Sequence, residues 1–192
     1  MKKQATLFQE AEATVLSELD LQEAEKIAAQ LKTAVSIHCL KIEVAGSIRR
    51  QAKVHDIDFV AVTKTDKDWQ KITDTLKRLK AKLSCQGNSL VKAFLPCQNG
   101  LFQVDFYRAK PATFGIHLLV RTGSAEHNMW LAAQAITKGM RLKYSQGLIQ
   151  NDKAIAGETE QSVFEALGLP YPAPQEREIV ENKPLWMPPQ KS

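Results

Sequence analysis

The sequence predicts an α+β fold, on three observations. Short apolar stretches of strand character, residues 40–45, 56–62, 90–96 and 101–107, gather in the first 110 or so positions. Segments with apolar residues three and four apart, the period of an amphipathic helix, precede and interrupt them. Glycines punctuate the joints, at Gly46, Gly87, Gly100, Gly139 and Gly168.

The first dozen residues are polar and are expected to be frayed. A helix is predicted from Asp20, whose carboxylate can cap it while Glu23 reaches back as in a capping box. Leu21, Ala24, Ala28 and Leu31 give that helix one apolar face, and it leads into the strand at residues 40–45. There follows Gly46-Ser47-Ile48-Arg49-Arg50, and then a second strand that opens His55-Asp56-Ile57-Asp58. In an extended chain alternate side chains share a face, so Asp56 and Asp58 point one way and Ile57, Phe59 and Ala61 the other.

Two carboxylates side by side repel, and one is driven toward its neutral form unless a cation intervenes. Hard oxygen ligands of this kind suit magnesium or manganese, which keep positions open for water and substrate phosphates. Gly46-Ser47 offers backbone N–H groups and a hydroxyl, and Arg49 and Arg50 offer guanidinium forks for phosphate oxygens. Singly, Asp-x-Asp, Gly-Ser and Arg-Arg are ordinary surface features. Within one short span at the junction of two strands they describe a metal and triphosphate site.

Trp69, Ile72, Leu76, Leu79 and Leu83 predict a helix over residues 65–83, and the lysines on its other face read as a solvated surface. Gln98-Asn99-Gly100 then predicts a hairpin between residues 90–96 and 101–107. In the second of these strands Phe102, Val104 and Phe106 alternate with Gln103, Asp105 and Tyr107, so Asp105 lies on the polar face. Beyond Pro111 the sequence predicts a short apolar segment at 114–120, a helix at 125–138 stopped by Gly139, and small strands near 142–144, 148–149 and 154–155. A helix at 160–167 capped by Thr159 and a proline-rich, irregular tail from Pro170 complete the chain.

At 192 residues the chain holds one large domain or two small lobes. No apolar run approaches the roughly 20 residues that cross a bilayer, and Met-Lys-Lys-Gln-Ala-Thr is no signal-peptide core. A cytoplasmic protein without a membrane partner is expected. Its three cysteines, Cys39, Cys85 and Cys97, lack metal-site spacing and are expected as thiols. The net charge of +5 favours a polyanionic partner without specifying one.

Gly46-Ser47-Ile48-Arg49-Arg50 followed by Asp56-Ile57-Asp58 resembles the signature of the polymerase-beta-like nucleotidyltransferases, specifically the family X DNA polymerases. Thr122-Gly123-Ser124 with Glu126-His127-Asn128 resembles their thumb. The run Phe164-Glu165-Ala166-Leu167-Gly168-Leu169-Pro170-Tyr171, with Pro174 and Glu176-Arg177, resembles their C-terminal end. The resemblance implies a palm with a small mixed sheet flanked by helices (1–112), then a small α/β thumb lobe with an irregular tail (113–192). The additional DNA-gripping and phosphoesterase domains of some relatives do not fit this length, so a minimal palm and thumb is expected.

The resemblance further implies a DNA-directed DNA polymerase of the short-gap repair kind, working with two magnesium or manganese ions. Asp56 and Asp58 would bind both ions and Asp105 the catalytic one. Gly46, Ser47 and Arg50 would hold the β and γ phosphates, and Gly123 and Asn128 would line the nucleotide from the thumb. His55 stands where a glycine is frequent and could contact the phosphates. Val120 and Arg121 stand where relatives have Tyr-Phe beside the sugar. Expected partners are a nucleoside triphosphate and primer-template or gapped DNA, bound by a monomer. Two other readings are an untemplated or small-acceptor nucleotidyltransferase and, from a different class, a catalytically dead nucleic-acid-binding module. The retained aspartates argue against the last, since a dead site has no physical reason to hold like charges together.

Overall fold

The computed structural model describes residues 19–97, 100–180, 183–184 and 186. The chain opens with helix α1 (Leu21–Ser36), where the Asp20 carboxylate accepts the Glu23 N–H at 2.8 Å. That is the Asp20 half of the predicted capping box. Ala24, Ala28, Leu31 and Val35 are the buried face of α1. There follow β1 (Cys39–Val44), a short helix α2 (Gly46–Arg50), β2 (Asp56–Thr63), α3 (Asp66–Arg78), β3 (Lys82–Gln86), β4 (Leu90–Cys97) and β5 (Gly100–Arg108). The second half holds α4 (Phe114–Thr122), α5 (Ala125–Thr137), β6 (Met140–Lys143), β7 (Gly147–Gln150), β8 (Lys153–Ala156), α6 (Glu160–Ala166), β9 (Ile179–Val180) and β10 (Lys183–Pro184). Among the described residues no helix is long and apolar enough to cross a membrane.

The first half forms one five-stranded sheet in the order β1-β2-β5-β4-β3. Strands β2 and β5 run parallel and the other neighbours antiparallel, so the sheet is mixed. The alternation read from the sequence decides what each face does. Ile57, Phe59, Ala61, Val91, Ala93, Val104 and Phe106 join α1 and α3 in one core, with the rings of Phe59 and Phe106 stacked at 4.6 Å. On the other face Val60 and Val62 pack with Phe114 and Leu118 of α4. Asp56 and Asp58 share that face but lie toward the N-terminal end of β2, beyond the apolar contacts of α4. A helix from the second half thus roofs part of the sheet and leaves a half-open floor carrying the carboxylates.

The second half encloses its own core of Ile116, Leu119, Leu131, Ala135, Leu148, Val163, Phe164 and Leu167 beside the antiparallel sheet β6-β7-β8. Asn151 and Asp152 join β7 to β8 with φ of 49° and 60°, a left-handed pair that Asn and Asp tolerate.

Four local expectations change. The helix predicted to Leu83 ends at Arg78, Lys80 turns left-handed at φ 63°, and Lys82–Gln86 instead pairs with β4 as an edge strand. Leu83 and Cys85 fall in the alternating pattern of that strand, and Leu83 also continued the helical period by coincidence. The Gly-Ser break is the first turn of α2, and the apolar segment at 114–120 is helical. The tail after Pro170 is anchored rather than irregular: it holds a 3₁₀ turn at Pro174–Glu176, the β9-β10 ladder and a fully buried Arg177. Cys97 pairs with Gly100, while the predicted turn residues Gln98 and Asn99, like the first dozen residues, lie outside those described.

Candidate active site

Parallel pairing of β2 with β5 sets Asp58 directly beside Asp105, because these two are register partners. Asp56 lies two residues back on the same face, and ligand oxygens of Asp56, Asp58 and Asp105 come within 4.8 Å of one another. Asp105 is only 1% exposed, whereas Asp56 and Asp58 are half-buried. Burial pushes the Asp58 carboxyl up to about 7, helped by the charges of Asp56 and Asp105. Asp56 is raised as well, by burial and then by Asp105. The three carboxylates act on one another as like charges, and they present hard oxygen donors. The residues fit one or more magnesium or manganese ions.

Gly46 closes the site from the β1 side. Its φ is +63°, and a Cβ built there would lie 2.2 Å from Asp58 Oδ2, so a glycine is required on both counts. Ser47 is buried at the start of α2, and its Oγ has no hydrogen-bond partner among the described residues. His55 is exposed at the entrance, beside Asp56.

The arginine pair does something the sequence did not suggest. Arg49 forms a two-pronged contact with Glu160 of α6, at 2.7 and 2.6 Å, and also reaches Thr122 Oγ1. Arg50 donates to Glu178 at 2.7 Å and to the Thr122 carbonyl at 2.6 Å. Both guanidinium groups therefore tie α2 to the second half of the chain. Glu160 is itself met by buried Arg177 and by the Tyr171 hydroxyl. Burial alone would raise the Glu160 carboxyl, but the hydrogen bonds from Arg49 and Arg177 prevail and hold it low.

Past α4 the chain turns at Gly123, where a Cβ would lie 2.6 Å from His127 Nδ1 and 2.7 Å from Asn128 Oδ1. Asn128 Nδ2 donates to the carbonyls of Val120 and Gly123, at 2.7 and 3.1 Å, fixing the backbone that joins α4 to α5. Arg121 leaves the end of α4 toward the carboxylates: its guanidinium lies 3.7 Å from the Tyr107 ring centre, and its charge acts on Asp58. The structure thus gathers Asp56, Asp58, Asp105, Gly46, Ser47 and Arg121 at one locus. Arg50, Val120, Gly123 and Asn128 form an adjoining group built around the Val120–Gly123 backbone.

Lys92, Tyr107, Glu160 and Glu178 were missed as parts of this region. For Lys92 a signal existed, because it alternates with the apolar Val91 and Ala93, and counting pairs back from Cys97 and Gly100 reaches Lys92 opposite Asp105. For Glu160 and Glu178 none existed, since their partners are 111 and 128 residues away.

The DNA polymerase beta thumb family matches residues 117–178. DNA polymerase IV of Saccharomyces cerevisiae is 34% identical over 81 residues, 42% of this chain and 14% of that protein. DNA polymerase lambda of Rattus norvegicus is 41% identical over 87 residues, 40% of this chain and 15% of the relative. The chain thus spans about one seventh of the length of these two relatives. Among solved structures, a polymerase beta of Leishmania infantum, described as a ternary P/T complex, superposes with a TM-score of 0.73 at 21% identity, over 84% of this chain and 77% of that one. The last match concerns the fold alone, a mixed sheet with helices like that of the polymerase beta. Sequence, including the thumb match over residues 117–178, and fold over most of the chain are similar to those of the family X DNA polymerases.

Proposed function

We propose that this chain is a magnesium- or manganese-dependent nucleotidyltransferase that extends a DNA primer against a template, in the manner of short-gap repair. The boundary between its palm and thumb falls near residues 112–113 in this reading. The observation that carries the reading is the convergence of Asp56, Asp58 and Asp105 on the open floor of the sheet, beside the glycine-containing first turn of α2. Bound ions would supply positive charge to phosphate oxygens and lower the pKa of a primer hydroxyl.

The chain's own residues do the holding and aiming. Asp56 and Asp58, on one strand face, would hold the ions, and Asp105 would add a buried carboxylate to the one that activates the primer hydroxyl. The Ser47 hydroxyl, without a hydrogen-bond partner among the described residues, and the Gly46 backbone receive phosphate oxygens. Arg50, oriented by Glu178 and the Thr122 carbonyl, adds a guanidinium at the leaving pyrophosphate. Gly123 and Asn128 border the nucleotide on the thumb side, Val120 and Arg121 border its sugar, and His55 guards the phosphate entrance.

The test is extension of a gapped duplex with single nucleotides in magnesium or manganese, for the native chain and Asp105→Ala. The native chain extends the gapped strand. Asp105→Ala loses at least about a thousandfold in turnover, because several kcal/mol of transition-state stabilisation go with an ion ligand. Triphosphate binding falls much less. Near-native turnover in a folded Asp105→Ala protein would end the assignment of the trio, and transfer only to unpaired ends would move the acceptor to the untemplated class.

A further inference from the structure

Strand β4 places a cation against the carboxylates, one for which the reading above has no use. Lys92 is the antiparallel register partner of Asp105, and its ammonium pairs with Asp105 Oδ2. The Tyr107 hydroxyl donates to the same oxygen at 3.0 Å, and Gln103 Nε2 donates to the other at 3.0 Å. The buried carboxylate of Asp105 therefore has both oxygens engaged by protein donors, and one of those donors is a full charge.

The geometry separates this pair from an ordinary structural ion pair. Asp105 is 1% exposed, so leaving its charge bare would be costly, yet the Lys92 side chain is 35% exposed. Its flexible four-carbon stem can carry the ammonium away from Asp105 toward solvent. Electrostatically Lys92 acts on Asp56 and Asp58 as well, so one mobile charge serves all three carboxylates. Arg121, the other cation near Asp58, is stacked on Tyr107. A divalent ion taking Asp105 Oδ2 would need the position that Lys92 and Tyr107 now share.

We propose that Lys92 is the resident counter-ion of the Asp56, Asp58 and Asp105 cluster, competing with the divalent cation for Asp105 and so setting the cation affinity of the nucleotide-free protein. The proposal rests on the metal-dependent reading given above. Lys92 acts as a positioning residue: it holds the cluster together when no ion is bound and withdraws when one binds.

The experiment measures Mn2+ binding to the full chain without nucleotide, by the electron paramagnetic resonance signal of free Mn2+, at low ionic strength. Lys92→Met removes the competing charge, and the protein then binds Mn2+ tenfold or more tightly than native. Lys92→Arg keeps the charge and stays within about threefold of native. A purely structural Lys92 would leave Mn2+ affinity unmoved and lower only thermal stability. Equal or weaker Mn2+ binding by Lys92→Met, with native-like circular dichroism, overturns the proposal. Should Lys92→Met fail to fold, Lys92→Gln is measured in its place, and the Mn2+-induced rise in melting temperature must exceed that of the native chain. A native chain that binds no Mn2+ at all would instead refute the metal-dependent reading itself.

Discussion

Replacing Glu160 tests whether the two halves of the chain are joined by charge. Its carboxylate, 4% exposed, accepts from Arg49 at 2.7 and 2.6 Å, from Arg177 at 2.5 Å and from the Tyr171 hydroxyl at 2.9 Å. Arg177 is fully buried, and its other polar contacts are long ones to the Pro172 carbonyl at 3.4 and 3.3 Å. Glu160→Gln keeps the shape and removes the charge, which leaves Arg177 buried without its counter-ion. Breaking a buried pair from one side costs about 3–5 kcal/mol, a large part of the roughly 5–15 kcal/mol that holds a domain folded. For a chain of this size that lowers the melting temperature by roughly 6–20 °C. Urea unfolding at pH 7.5 measures it, and Glu160→Leu/Arg177→Met supplies the decisive control. With both buried charges gone, the double variant should lose clearly less than the two single changes added together. A Glu160→Gln loss below about 1 kcal/mol, or strict additivity in the double variant, would refute the reasoning. The sign with pH is fixed as well. Because the arginines hold Glu160 low against its burial, the contribution is complete at neutral pH and is lost as pH falls below the ordinary glutamate range.

Three further outcomes are expected. Gly46→Ala forces a Cβ to within 2.2 Å of Asp58 Oδ2 at a φ of +63°; nucleotidyl transfer should fall about a hundredfold, with a stability loss of about 1–3 kcal/mol, and full activity in a folded variant contradicts it. His127 is fully buried, and burial pushes it down to about 4, so the unfolded chain takes up its proton first on acidification. Stability therefore declines as pH drops from ~6.5 to ~4, by up to about 3 kcal/mol, and His127→Phe should flatten that slope in unfolding experiments; an unchanged slope places the acid sensitivity elsewhere. Val120→Tyr should raise the kcat/KM ratio of dATP over ATP, since a pocket without a rigid wall rejects an added hydroxyl by only about a hundredfold; a strong deoxy preference already present in the native chain would show that the side chain is irrelevant.

What the sequence revealed and what it hid divide along the distance over which residues interact. The period-two alternation of 56–62 and 101–107 put Asp56, Asp58 and Asp105 on the polar faces of their strands; in the structure Asp56 and Asp58 are half-buried, whereas Asp105, like Val60 and Val62, is buried. Their convergence needed the parallel β2-β5 pairing, which no local pattern encodes; only the likeness to family X polymerases supplied it. The helix over 65–83 overran because Leu83 satisfies both periods, and the strand won through its ladder with β4. The sequence offered Arg49 and Arg50 as phosphate forks and hid their protein contacts, because a guanidinium is chemically blind to whether an acceptor oxygen belongs to a ligand or to a glutamate. Of their protein partners, Glu178 lies in the stretch whose composition suggested a loose tail, and Glu160 opens a predicted helix that stands 111 residues from Arg49. Lys92 differs from these cases. Its partner is 13 residues away, within one hairpin, and the cross-strand rule would have found it had the register been counted. A charge pair inside one supersecondary unit can thus be derived from the sequence, whereas one that ties two lobes together becomes visible only once both have folded.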